Sequence, residues 1–297
     1  MLKKFGEFLL AKDINAIIIA FLAALLPVFN LPTGFIAVLV VGLITLQKGS
    51  KAGFWVLSWV ALPAIALLVT RHIGLFDLLF VRCVVIWLLA SLLRRYQSWS
   101  LLFNLLVSVG VIAIVALHWW NPQLEQWWIT QLTDYMQKMI ADAKVKEATI
   151  ASAELAKHVA PIATGVIAFF VSTTVLMELA VVRWWQTVMF EPGKFAQEAV
   201  SIRAGRIASL LALLFFVLTM MKLPLAIDAF AIILLPLFFA GLSLLHFLAR
   251  RNKRFVYLLI VIYAGFIFLP VLVVSALAVI AFVDTWVDFR KRLEVVV

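Results

Sequence analysis

Cysteine is nearly absent from this chain of 297 residues. The single copy, Cys83, lies inside an apolar run, which excludes a disulfide framework and a cysteine-ligated metal. Charge is scarce too: 13% of residues are charged, where a soluble domain carries about a quarter. Also missing are a GxxxxGKS/T phosphate loop, an HExxH zinc helix and a glycine-rich dinucleotide turn. His72, His118, His158 and His246 are scattered over the ends of different apolar runs, so they form no metal set. Ser172, Thr173 and Thr174 stand within another such run, where hydroxyls bond their own helix backbone rather than act as nucleophiles. With no nucleophile, base and metal in one constellation, the chain is expected to be no enzyme and to need no cofactor.

What the chain has in excess is apolar surface, with 66% hydrophobic residues and a mean hydropathy of +1.13. This composition predicts an all-α polytopic transmembrane helical bundle, one integral membrane domain over residues 1–297. The net charge of +10 would suggest nucleic acid in a soluble chain. Here the basic residues sit in short clusters between apolar runs, as the positive-inside rule requires, with no extended basic face to follow phosphates. The opening MLKKFGEFLLAKD and the apolar run after it resemble a signal peptide without a convincing cleavage site, and are read as a retained first span.

At about 1.5 Å per residue, roughly 20 apolar residues cross the hydrocarbon layer. Single crossings are expected near 53–70, 74–93, 99–119, 161–185, 205–222 and 226–249. The runs 14–46 and 255–287 are too long for one crossing and are broken by Pro27, Asn30, Pro32 and Gly34, and by Gly265 and Pro270, so each is expected to be a hairpin. Splitting both gives about ten spans with the amino terminus and every basic cluster in the cytoplasm; leaving the second whole gives about nine. Most tryptophans fall toward span ends, where the headgroup layer favours them; Trp87 lies well inside. The long polar stretch 121–160 is expected outside, as a solvated helical connector or a substrate lid. Trp128, Leu132, Tyr135, Met136 and Met139 recur there at helical spacing and would rest in the headgroups.

Arg82 interrupts the run LLFVRCVVIWLL (78–89) near its expected midplane, at a cost of about 2.5–3.5 kcal/mol on insertion scales. It should therefore face the bundle interior with a partner. Asp77 is nearest in sequence, but five positions apart places it off the same helix face. Glu178 and Asp284 reach comparable depths from their own span ends. Arg82, Glu178 and Asp284, with Asn104, are the candidate lining of a polar cavity for an anionic or zwitterionic solute; the alternative is an internal ion pair that fixes helix positions. In the first span, Ala16, Ala20 and Ala24 form a small-residue stripe suited either to packing within the chain or to docking a separate transmembrane subunit.

The segment FVDTWVDFRKR (282–292), following a hairpin broken at Pro270, together with the amino-terminal hairpin broken around NLPTG (30–34), resembles the YybS-like family of predicted bacterial integral membrane proteins. That family is thought to be distantly similar to the substrate-binding membrane subunits of energy-coupling-factor vitamin transporters. The resemblance implies a docking role for the alanine stripe, whose AxxxAxxxA spacing matches those subunits, although they have six helices. The reading is a bacterial inner-membrane protein that binds or translocates a small solute without its own ATPase, its partners the bilayer, the solute and a coupling subunit. The alternative is a non-transporting membrane scaffold.

Overall fold

In a bilayer core no water reaches the backbone, so an apolar run satisfies its amides by coiling into helices. The computed structural model describes residues 2–29, 31–70, 79–143 and 149–294, which are all-α with no strand among them. Asn30, His72 and Asp77 lie outside the described residues. The single domain read from the sequence is built as two compact units, residues 1–102 with 171–201, and residues 103–170 with 202–297.

The first unit holds α1 (Leu2–Ala11), α2 (Asp13–Leu25), α3 (Gly34–Lys48), α4 (Ser50–Thr70) and α5 (Leu79–Tyr96). To these it adds the start of α6 (Trp99–Trp120), a region of α7 (Leu124–Ala143) and α8 (Thr149–Val159) being left to the second unit, then the latter part of α9 (Ala163–Phe190) and α10 (Lys194–Ser201). α3 and α4 pack on each other and on both α2 and α5. A side chain at Gly42 would sit 3.0 Å from Val182 of α9, and one at Gly53 would meet the Thr45 hydroxyl at 2.0 Å. Thr33 closes the amino-terminal hairpin by donating to the Ala23 carbonyl at 2.9 Å. α1 turns away from α2 by 114° and lies against α9, with Phe5 stacked on Trp185 and the Trp185 indole donating to the Leu2 carbonyl.

Ala16, Ala20 and Ala24 are fully buried. α2 packs against both α3 and α4, so the stripe brings helices of this chain together.

The second unit comprises the rest of α6 and α9, with α7, α8, α11 (Arg206–Met220), α12 (Pro224–Ile233), α13 (Leu235–Arg251), α14 (Arg254–Phe268), α15 (Pro270–Val287) and α16 (Phe289–Glu294). α13 and α14 run antiparallel, as the paired contacts Phe238 with Phe266 and His246 with Tyr263 require. α14 stops at Phe268 and α15 begins at Pro270, at the break expected from the sequence. The polar stretch is helical as α7 and α8, which pack together. Its stripe does not lie wholly outward: Trp128 is buried with Leu124, Ala160 and Ala163, and its indole donates to the Thr164 hydroxyl at 2.9 Å, whereas Tyr135 is exposed. A polar partner at the start of α9 is what draws the ring inward.

Asp284 also departs from expectation. It stands one turn from the carboxyl end of α15, where the chain reverses through Asp288 in the left-handed region (φ 49°), and its Oδ1 accepts the Phe289 amide at 2.9 Å. Its Oδ2 lies 3.7 Å from Arg290 Nε, and Arg290 in turn donates to the Ile202 carbonyl at 2.9 Å. On the exposed side of this clamp Arg203 pairs with Asp288 at 2.9 Å and holds that carboxyl below its usual range.

By length and composition, four stretches among the described residues are able to cross a membrane: Trp99–Trp120, Ala153–Phe190, Pro224–Arg251 and Pro270–Val287. Two bent pairs, α1 with α2 and α10 with α11 (46°), bring the number to six. α3 and α14 are apolar but shorter, and α5 carries Arg82, Arg94 and Arg95, so these segments fall outside that count.

α13 and α15 meet closely at Gly241, where an added Cβ would lie 2.3 Å from the Leu277 carbonyl oxygen on α15. Gly241→Ala is expected to force α13 and α15 apart at a cost of about 1–3 kcal/mol. Thermal unfolding in detergent followed by tryptophan fluorescence reads this as a lower midpoint, and an unchanged midpoint contradicts the close approach.

Candidate functional site

A charged pair inside apolar helices is the least expected chemistry in this composition. Arg82 sits in the first described turn of α5, and Glu178 in the middle of α9; both belong to the first unit. Arg82 Nη2 donates to Glu178 Oε1. Counting along the helices, Glu178 lies about 18 Å from the carboxyl end of α9 and Arg82 about 21 Å from that of α5. These distances agree within the reach of an arginine side chain.

The pair is made through one prong only. Arg82 Nε and Glu178 Oε2 are both buried and have no hydrogen-bond partner among the described residues. A guanidinium and a carboxylate can instead join through two parallel bonds, which would have used both atoms. Each buried polar atom left open costs about 1–3 kcal/mol, so the arrangement has spare donor and acceptor capacity in a place where satisfaction matters most. About a quarter of the Arg82 side-chain surface remains accessible, and about a tenth of Glu178. Thr173, on α9 near Glu178 in sequence, has a buried hydroxyl that is likewise unbonded.

The other two residues expected at this site have different settings. Asp284 belongs to the second unit and is engaged by Phe289 and Arg290, so it serves the carboxyl-terminal turn. Asn104 stands on α6 in the second unit and is exposed.

The second unit contains a polar centre that the hydropathy reading passed over. Asp228 of α12 is buried, and its Oδ1 accepts the Gly165 amide at 2.7 Å, in the first turn of α9. The carboxylate gives this amide an acceptor just after the 3-10 turn Ala160–Ile162 that joins α8 to α9. The backbones approach so closely that a Cβ at Gly165 would lie 1.7 Å from the Asp228 carbonyl oxygen, which leaves only glycine there. His118 Nε2 lies 3.8 Å from Asp228 Oδ2, and its Nδ1 is 3.0 Å from the Ile114 carbonyl. A cavity of about 30 Å³ beside the two, lined also by Glu125 and Trp128, has room for a water molecule or two. The signal was in the sequence: Asp228 is an acid within the run PLAIDAFAII, and a lone intramembrane acid demands a partner as much as a lone arginine does.

The pair of Arg82 and Glu178 keeps one buried donor and one buried acceptor unused among the described residues. Asp228 ties α12 to the first turn of α9, with a water-sized cavity between it and His118. Among the described residues no group of three or more His, Cys, Asp and Glu side chains is placed to hold a metal. No family model, no curated protein and no solved structure matches this chain.

Removing the Asp228 carboxylate leaves the Gly165 amide without its acceptor. Asp228→Ala is expected to lower stability by about 1–3 kcal/mol, and Asp228→Asn, which keeps an acceptor oxygen, by clearly less. Thermal midpoints of the two purified variants in one detergent give the ranking, and equal midpoints contradict the acceptor role.

Proposed function

We propose that this chain is a multi-pass protein of a bacterial inner membrane, of the YybS-like kind, that binds or translocates a small anionic or zwitterionic solute without an ATPase of its own. In this reading the chain crosses roughly ten times with its amino terminus in the cytoplasm. The carrying observation is the one-pronged pair of Arg82 and Glu178, with a buried donor and a buried acceptor that have no partner among the described residues.

Energetics favour a solute over a purely structural pair. Replacing a buried ion pair by well-packed apolar side chains is often neutral or stabilising, so holding helices together gives little reason to keep charges in an apolar layer. A solute carrying both a negative and a positive or hydroxyl group would bond Arg82 Nε and Glu178 Oε2 together. It would thereby convert two unsatisfied atoms into recognition. The Ala16, Ala20 and Ala24 face plays no part in this proposal.

The test is identification by mass spectrometry of small molecules that copurify with the wild-type chain, Arg82→Gln and Glu178→Gln in detergent. One compound enriched in the wild type and reduced at least tenfold in both variants, at matched monodisperse yield, is the expected result. Equal content in all three preparations refutes the assignment.

A further inference from the structure

The polar surface of the first unit gathers where three helices end. Lys48 closes α3, Tyr96 closes α5 and Phe190 closes α9. Between them lies a cleft of about 530 Å³ lined by Gln47, Arg94, Gln97, Arg183, Gln186 and Lys194, among others. That volume is in the range of small-molecule sites.

The lining is built rather than incidental. Arg183 is only 5% exposed and is fixed from several sides: Nε and Nη2 donate to Glu198 at 3.1 and 2.5 Å, and Nη1 donates to Gln186 at 2.7 Å. Gln186 passes the chain on by donating to Gln47 at 2.9 Å. Trp99 also donates to Glu198, at 3.2 Å, holding the acid against Arg183. Glu191, the acid on the cleft wall, is tied to Lys194 at 2.5 Å. Arg94 differs from both paired cations. It donates to the Leu46 carbonyl at 2.5 Å, and no carboxylate among the described residues forms an ion pair with it. With Arg94, Arg183 and Lys194 set against Glu191 and Glu198, the cleft retains one surplus positive charge, carried by a guanidinium whose fork is suited to bidentate oxygen acceptors.

We propose that this cleft binds a phosphate-bearing anion, with Arg94 as the principal contact, Lys194 beside it, and the glutamine amides ordering the polar remainder of the ligand. The site is independent of Arg82, which lies about 18 Å away along α5. Phosphate of this kind is supplied either by a soluble metabolite or by an anionic lipid headgroup, and both share the recognition chemistry.

The experiment uses the purified full chain and two probes. Inorganic pyrophosphate is titrated by calorimetry at fixed ionic strength, with sodium chloride as the control. Retention of phosphatidylglycerol is read by native mass spectrometry after reconstitution in nanodiscs of phosphatidylcholine with added phosphatidylglycerol. Binding of pyrophosphate that weakens at least tenfold in R94Q identifies a soluble ligand. Phosphatidylglycerol retained by the wild type and lost in R94Q, without pyrophosphate binding, identifies a headgroup. Should R94Q not purify as a monodisperse species, K194Q decides in its place. Neither probe bound by the wild type, or both bound equally well by the folded variant, overturns the proposal.

Discussion

A charge inside an apolar layer has to be answered by the chain itself, and the bond from Arg82 to Glu178 is where this protein meets that demand most openly. Much of the first unit is arranged so that α5 and α9 lie close enough for it. Gly42 lets α3 sit against both Ile86 of α5 and Val182 of α9, one turn beyond the charged residues on each helix. The buried alanines of α2 bring that helix onto α3 and α4 from the other side. Small side chains are what allow such approach where lipid offers helices little hydrophobic reason to associate.

The same demand recurs in the second unit with a different answer. Asp228 is buried without a full ionic partner, yet the first turn of α9 supplies an amide, and His118 lies near enough to share a water with it. Arg290 is met by backbone carbonyls and Asp284 at the turn after α15. Arg82, Asp228 and Arg290 are thus answered in three ways: by an opposite charge, by a backbone amide of another helix and by the turn that follows α15. The first leaves both a donor and an acceptor without a partner among the described residues, and the proposal of solute recognition rests on that difference.

The legibility of these features in the sequence follows from the distance over which each is decided. The hairpin breaks at Pro27 to Gly34 and at Pro270 are local, because proline and glycine act on their own backbone, and they stand where periodicity predicts. Glu178 was legible as a partner for Arg82 because depth along a straight helix is simple arithmetic. Asp284 passed the same arithmetic and is used elsewhere, since a left-handed turn at Asp288 returns the Phe289 amide to it, and hydropathy does not register such a turn. Trp128 looked like a headgroup residue by spacing, but Thr164, many residues later, draws it inward. The alanine stripe specified close packing without specifying the partner. The basic cleft is drawn from positions between Leu46 and Lys194 and exists only once α3, α5 and α9 end together.

The central claim is that Arg82 and Glu178 are kept for what they bind and not for the stability they confer. The double variant Arg82→Leu with Glu178→Leu separates the two roles in a single preparation, read by its thermal midpoint in detergent and by its content of the copurifying solute. The account predicts a midpoint at or above that of the wild type, because two apolar side chains replace two partly satisfied charges, together with loss of the solute. A midpoint far below the wild type, or a solute retained at full occupancy, contradicts it.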